Sequence, residues 1–250
     1  LALVNSDIEV TENWLTPILS QFENEPNTAI IQPKILDFKK KTHFEYAGAA
    51  GGFIDKYGFP FCRGRIFETI EEDKGQYNDT IDIFWATGAC FFIRNEVFKN
   101  LNGFDEDFFA HQEEIDLCWR AKNMGLDIKY NGNSTVFHVG GATLKTGSPK
   151  KTFLNFRNSL WMMTKNLPKN KLIPVLFVRL ALDGLAGLKF LLEGKPKHLW
   201  AILESHFYFY FYLSKFIRKR SCKKIPKYYK TNSIVYLYFA KNKRKYSDIF

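Results

Sequence analysis

The sequence predicts an α/β domain followed by amphipathic helices. Three observations predict it. Short β-type runs alternate with helix-type runs over the first 140 residues, several of those helical runs stop at a glycine, and the charge balance reverses near Lys145. Strands alternating with helices build a layered sheet.

Taken in order, Leu1-Ala2-Leu3-Val4 reads as a buried strand entered midway. With no initiator Met and a strand entered midway, an N-terminal portion is expected upstream; the sequence shows no basic leader with a cleavage site, so no secretory signal peptide is read from it. The strand runs into the polar stretch Asn5-Ser6-Asp7-Ile8-Glu9. Thr11 can cap a helix on which Trp14, Leu15, Ile18, Leu19 and Phe22 recur at helical spacing. Ala29 to Gln32 is a short strand. Residues 37–80, punctuated by Gly48, Gly51, Gly52, Gly58 and Gly64, read as loops and short strands forming an insertion or site rim. Ile81 to Phe84 and Ala89 to Ile93 are β-type runs around Thr87-Gly88. Asn95 to Leu101 is a helix stopped at Gly103, and Glu113 to Met124 is a helix closed by Gly125. Leu126 to Tyr130 and Thr135 to Val139 are strands. Beyond residue 150, Phe153 to Lys165, Leu172 to Leu192 and His198 to Ile217 read as helices. The second carries Arg179, Asp183 and Lys189, which suits a helix lying in a membrane plane better than one spanning it.

Composition narrows the class. A 46% hydrophobic and 17% aromatic chain can fill a core, which excludes global disorder. Cys62, Cys90, Cys118 and Cys222 have no metal-like spacing and are too few for a disulfide scaffold, so reduced thiols are the simplest reading. Residues 1–144 hold 13 Lys/Arg against 22 Asp/Glu, whereas residues 145–250 hold 23 against 4. An acidic half suits chemistry with cations, and a basic half suits contact with a polyanionic surface. Interleaved aromatics could serve nucleic acid, but helices rich in Leu, Phe and Trp favour an anionic membrane surface and make nucleic acid the lesser candidate. A solvated basic face on ordinary helices is the remaining alternative.

Three places could carry chemistry. Asp7 lies at the carboxyl end of a strand, where α/β sheets bind ligands and a carboxylate can hold a phosphate-bridging cation; a polar turn is the plainer alternative. Trp85-Ala86-Thr87-Gly88-Ala89-Cys90 sets an aromatic beside a small-residue turn, so Trp85 could face a sugar or fill the core while Gly88 and Ala89 admit a ligand. In His111-Gln112-Glu113-Glu114-Ile115-Asp116-Leu117-Cys118-Trp119-Arg120 the carboxylates would sit in a first helical turn, favoured there by the dipole. Glu113, Asp116 and Arg120 share a face by spacing, which leaves Glu114 pointing elsewhere, placed for general-base work. His138, followed by Gly140-Gly141, could join a carboxylate around a divalent metal or be structural.

These residues resemble family 2 glycosyltransferases, in their bacterial rhamnosyltransferase-like branch. The resemblance rests on four segments in order: the strand into Asn5-Ser6-Asp7, Thr87-Gly88-Ala89-Cys90 leading to Arg94, Gly103-Phe104-Asp105-Glu106 through Arg120, and His138-Val139-Gly140-Gly141. Arg157-Asn158 resembles a later pair of the same proteins, so residues 1 to about 160 are covered. The resemblance implies a GT-A, Rossmann-like sheet whose first strands, with most of the nucleotide pocket, lie upstream of Leu1. It divides the chain into part of a catalytic domain at 1–150 and a helical, membrane-associating region at 151–250. It implies an inverting transferase that moves a sugar from a nucleotide-diphosphate donor to a glycan or lipid-linked acceptor, working peripherally at the cytoplasmic face of the inner membrane. A magnesium or manganese ion is expected on Asp7 and His138. Glu114 is the expected base, a Glu where the family has Asp, and Trp85, Gly88, Ala89, Glu113, Arg120 and Arg157 are expected to contact donor or acceptor. The alternatives are a metal-dependent nucleotidyltransferase and a non-catalytic peripheral membrane module or inactive fragment.

Overall fold

A computed structural model describes residues 1–140, 147–220 and 225–250. The chain runs β1 (Ala2–Val4), β2 (Ile8–Val10), α1 (Thr16–Asn24) and β3 (Thr28–Asp37). Four short strands follow: β4 (Gly52–Ile54), β5 (Pro60–Cys62), β6 (Arg65–Ile66) and β7 (Thr69–Ile70). Then come β8 (Thr80–Asp82), β9 (Cys90–Ile93), α2 (Asn95–Asn100), α3 (Glu113–Asn123) and β10 (Asp127–His138). The remaining helices are α4 (Pro149–Asn166), α5 (Lys169–Leu192), α6 (Pro196–Phe211), α7 (Leu213–Arg218) and α8 (Ile234–Phe239).

The architecture is mixed α/β around a central sheet, with helices at the C-terminal end. The sheet order is β1-β9-β3-β10-β2, with β8 also on β10. Among the described residues, β3 and β10 are the one parallel pair of this sheet, fewer than a Rossmann-like sheet leads one to expect. Both faces are covered, and successive residues show it. In β3, Ile30 and Leu36 enter the large cluster that also holds Trp119, Leu160 and Phe216, while Ile31 and Ile35 enter a smaller cluster with Ile18 of α1. That alternation follows from the two-residue period of a strand. The large cluster continues through residues on both sides of 150, so α4 to α8 share the core of the sheet domain.

Several sequence expectations are corrected. Leu1–Val4 is not buried: β1 pairs only with β9 and alternates exposed and half-buried positions. Thr11 caps no helix; its hydroxyl donates to the Thr135 carbonyl (2.8 Å), and α1 starts five residues later. The two strands expected between Leu126 and Val139 are one, because β10 absorbs a register irregularity between Asn131 and Thr135. Asn131 steadies that irregularity by donating to Gln21 Oε1 at 2.9 Å. The helix expected from His198 to Ile217 breaks at Tyr212 into α6 and α7. Gly141, Lys145 and Cys222 lie outside the described residues.

Candidate active site

The site is built where the ends of β2 and β10 meet the turn before β9 and the start of α3. His138 closes β10 opposite Ile8, which brings Asp7 to its side. Asp7 Oδ1 lies 3.3 Å from His138 Nε2, and the Gly140 N–H donates to Asp7 Oδ2 at 3.2 Å. On the other side of the imidazole, Glu45 Oε1 stands 3.4 Å from Nδ1. Burial disfavours the imidazolium, but the carboxylates of Glu45 and Asp7 outweigh it and raise the pKa of His138. Glu45 was not foreseen. It sits in the irregular stretch after β3 and meets His138 only through the fold, so no local spacing announces it.

The turn before β9 is pinned from below. Gln32 of β3, fully buried, accepts from Thr87 N–H (2.9 Å) and donates to the Gly48 carbonyl (3.0 Å). Gly48 is required here, since a Cβ would meet Thr87 Cγ2 at 2.4 Å. Asn5 N–H donates to the Ala89 carbonyl at 2.9 Å, which joins this turn to the Asp7 loop. Gly88 faces α3: a Cβ built on it would lie 3.9 Å from Glu114 Cβ. Glu114 thus adjoins the Gly88 turn, and that turn is hydrogen-bonded to the loop that carries Asp7.

The loop that delivers Glu114 is strained. Phe109 has φ 64° and ψ −59°, with Ala110 N–H donating to Phe108 O at 2.7 Å, a γ-turn of the rare positive-φ kind. His111 and Gln112 follow with φ of 69° and 71°. Left-handed or γ conformations cost non-glycine residues about 1–3 kcal/mol each and persist where surroundings enforce them. The enforcement is visible. Asn158 Nδ2, wholly buried on α4, lies 2.9, 2.8 and 2.8 Å from the carbonyls of Phe108, Ala110 and His111. Arg157 donates to Phe108 O at 3.2 Å and lays its guanidinium 4.1 Å from the Trp161 ring centre.

At the end of this loop, the Oε2 atoms of Glu113 and Glu114 are buried without a hydrogen-bond partner among the described residues, as are His111 Nε2 and Gln112 Oε1. Burial and then the like charge of Glu113 push the Glu114 carboxyl up to about 8; burial also raises Glu113. An orphaned buried carboxyl is costly unless a ligand completes it, and one whose pKa lies near neutrality can exchange a proton with a substrate.

Other expected residues fall elsewhere. Trp85 is 3% exposed, donates Nε1–H to Phe53 O at 2.9 Å, and its ring is packed so closely on Gly52 that a Cβ there would lie 2.1 Å from it. Its face is core, not a sugar platform. Arg120 is spent on structure: Nε pairs with Asp116 at 2.7 Å, and the other nitrogens donate to Leu101 O and Gly103 O. Ala89 is buried and contributes its backbone. Asp116, wholly buried, also accepts from Lys165 (2.8 Å) and Asn166 (2.7 Å), tying α3 to α4.

A divalent cation fits Asp7 and His138 as a pair. Their ligand atoms are close enough to share one ion. Among the described residues no group of three or more His, Cys, Asp or Glu is arranged for a metal. Among the described residues, no helix is long and apolar enough to cross a membrane.

No protein-family model matches the chain. Curated relatives do. The O-antigen biosynthesis protein RfbC of Myxococcus xanthus is 31% identical over 145 residues, covering 57% of this chain and 11% of that protein. The pre-mycofactocin glycosyltransferase of Mycobacterium tuberculosis is 23% identical over 159 residues, 61% of this chain and 29% of that one. Rhamnosyltransferase WbbL of Escherichia coli is 37% identical over 54 residues, 22% of this chain and 20% of that one. The chain thus spans less than a third of the length of each of these relatives. Among solved structures, GalNAc-T7 with UDP, GalNAc and Mn2+ superposes with a TM-score of 0.48 at 14% identity, covering 68% of this chain and 32% of that one.

Proposed function

We propose that the chain carries the base and the metal-binding side of an inverting glycosyltransferase of family 2 type, with GT-A organisation. In this reading it moves a sugar from a nucleoside-diphosphate donor to a glycan or lipid-linked acceptor of a cell-surface polysaccharide, peripherally at the cytoplasmic face of the inner membrane. Residues 1–150 supply the chemistry and residues 151–250 brace it and meet the membrane. One observation carries the reading. The buried carboxyl of Glu114 lacks a partner for Oε2 and sits at the end of an enforced, strained loop beside Gly88, whose turn is hydrogen-bonded to the loop that carries Asp7. The glycosyltransferase names among the relatives support the same reading.

The acceptor hydroxyl donates to Glu114 and passes its proton there as the oxygen bonds to the anomeric carbon. The bond from that carbon to the diphosphate oxygen breaks on the opposite face, so configuration inverts. Burial and the like charge of Glu113 keep Glu114 basic, and the Glu45 carboxylate, 3.4 Å from Nδ1, favours the charged form of His138. When bound to Asp7 and His138, a magnesium or manganese ion supplies charge compensation for the departing diphosphate.

The test is nucleoside diphosphate release in the presence of acceptor. Glu114→Gln should lower turnover by about 10²–10⁴-fold with donor affinity by calorimetry unchanged, while Asp7→Ala should remove the metal-dependent part of that affinity. Turnover close to wild type in Glu114→Gln would reject the assignment. Pyrophosphate as the product would point to nucleotidyl transfer instead.

A further inference from the structure

Helix α5 is inside out. Its buried positions include Arg179 and Asp183, whereas Ile173 and Phe177 are 79% and 74% exposed and Leu185, Leu188 and Leu192 are exposed with them. These positions recur at helical spacing, and from Ile173 to Leu188 the exposed stripe carries no charge. A helix that meets water shows the reverse pattern. Nor can this one roll over. Arg179 Nε donates to Asp183 Oδ1 at 2.7 Å, and Nη1 donates to Tyr57 O and Ser159 Oγ at 3.1 and 2.8 Å. The guanidinium stacks 4.0 Å from the Phe59 ring centre, and Asp183 Oδ2 lies 3.3 Å from His206 of α6. The buried ion pair pins the apolar stripe outward.

Helix α6 packs beside α5; it buries Ala201, Ile202 and Phe209 and also turns apolar side chains outward, with Glu204 exposed among them. Trp200 is 69% exposed, and Leu203, Phe207, Tyr210 and Phe211 are exposed on the same helix, while Ser205 is buried. A groove of about 770 Å³ lies between the first turns of α4 and α6. Its lining includes Phe153, Trp200 and Leu203 together with Lys150 and Lys197. Exposed large apolar side chains gathered on two neighbouring helices mark a macromolecular or membrane contact.

We propose that the α5–α6 hairpin lies flat in the headgroup layer of an anionic bilayer, with Phe177, Trp200, Phe207 and Phe211 inserted. Three features choose a bilayer over a second copy of the chain. Aromatic side chains of Trp and Tyr type belong at the headgroup level. Lysines stand around the face: Lys169 starts α5, Lys197 lies in the first turn of α6 and Lys150 in the first turn of α4, while Lys189 and Lys195 share Glu193 at the turn between α5 and α6. A long apolar stripe flanked by cations is the form of an in-plane helix. The inference extends the membrane contact proposed above but does not depend on the transferase chemistry.

The experiment is flotation of the full chain with phosphatidylcholine vesicles, with and without about a third phosphatidylglycerol. Binding is expected with the anionic vesicles and should be weaker with neutral ones. The triple variant Trp200→Ser, Phe207→Ser, Phe211→Ser should bind at least about tenfold more weakly while keeping its circular dichroism. Independently, vesicles brominated near the headgroups should quench Trp200, read as the difference between wild type and Trp200→Phe. The proposal is overturned by failure of the full chain to float with anionic vesicles, by undiminished flotation of the triple variant, by absence of Trp200 quenching, or by a vesicle-free dimer that the triple variant dissolves. Transfer to a water-soluble acceptor, assayed separately, tests the catalytic reading alone.

Discussion

Removing the Asn158 side chain tests whether the loop that carries Glu114 is held or merely placed. Asn158 is fully buried, and its Nδ2 sits within 2.9 Å of three loop carbonyls. Two N–H bonds exist to be shared among them. Losing each costs about 1 kcal/mol net, and a carbonyl left buried without a donor costs about 1–3 kcal/mol. Phe108 O keeps its bonds from Ala110 N–H and Arg157, so the cost falls mainly on Ala110 and His111. Relaxation of the strained residues at 109, 111 and 112 returns part of it. Asn158→Ala should therefore lose about 2–4 kcal/mol in urea unfolding, or roughly 4–16 °C in Tm at this chain length. A loop relaxed by about 1 Å should also lower turnover roughly 10²-fold. Asn158→Asp preserves size but faces the carbonyls with lone pairs, so it should be no better than Ala. A loss under about 1 kcal/mol with unchanged turnover, or an Asp variant equal to wild type, would refute the clamp.

Other outcomes follow from the same geometry. Because the Glu114 carboxyl is raised to about 8, kcat/KM should climb with pH and level off above that value; a profile flat from pH 6 to 9 contradicts a Glu114 base. The folded state holds that proton and the unfolded state releases it above about pH 4.3, so wild-type stability should decline as pH rises toward 8. Glu114→Gln should then be the more stable protein at pH 8, by about 1–3 kcal/mol, readable by urea midpoint. Gly52→Ala should fail to fold stably, since the new methyl would lie 2.1 Å from the Trp85 ring, whereas Gly88→Ala meets only ordinary contacts and should fold normally while changing KM. Burial opposes ionisation of Asp105, but its ion pairs with Lys165 and Lys219 win and lower it to about 2. That stability is present above about pH 4 and lost as pH falls toward 2, and Asp105→Asn should flatten the acid limb of a pH-stability curve.

How much of this was readable beforehand depends on whether a signal is local. The helix over Glu113–Asn123 was legible because Gly125 follows it and apolar residues recur within it. β3 runs past the expected end at Gln32 because Pro33 and Lys34 look like a strand ending, yet Lys34 is buried against Asp73 and the strand continues to Asp37. The small sheet of β4 to β7 was seen only as short strands, since Arg63 and Arg65 interrupt its apolar pattern. Arg63 is nonetheless buried, against Asp79 and the rings of Tyr77 and Tyr130. At the site, Asp7, Glu114 and His138 stand out locally as a strand-end carboxylate, a helix-start carboxylate and a histidine before glycines, and the family resemblance supplies their expected roles. Trp85 was misjudged because a tryptophan beside a small-residue turn looks alike in a core and in a sugar site. The discriminating clue was Gly52, far away in sequence. Arg120 carried its own warning, four residues after Asp116 on the same helical face.

The charge of the second half of the chain reads differently once its partners are known. Lys165 pairs with Asp105 and Asp116, Lys215 with Asp107, and Lys219 with Asp105 and Asp107. Arg179 pairs with Asp183, and Arg220 donates to carbonyls at the end of α4. Apart from the Arg179–Asp183 pair, which lies within α5, these cations neutralise carboxylates of the first half or bind backbone. They fasten α4 and α7 to the segment from Asp105 to Asp116, immediately around the loop that presents Glu114. The acidic and basic halves are therefore two sides of one internal seam before they are two surfaces. What remains outward on α5 and α6 is mainly apolar, bordered by a few lysines. Membrane attachment on this plan draws most of its free energy from buried aromatic area, with electrostatics setting the choice of lipid. The helices proposed to meet the bilayer pack against α4, and α4 carries the Asn158 clamp on the loop of the proposed base.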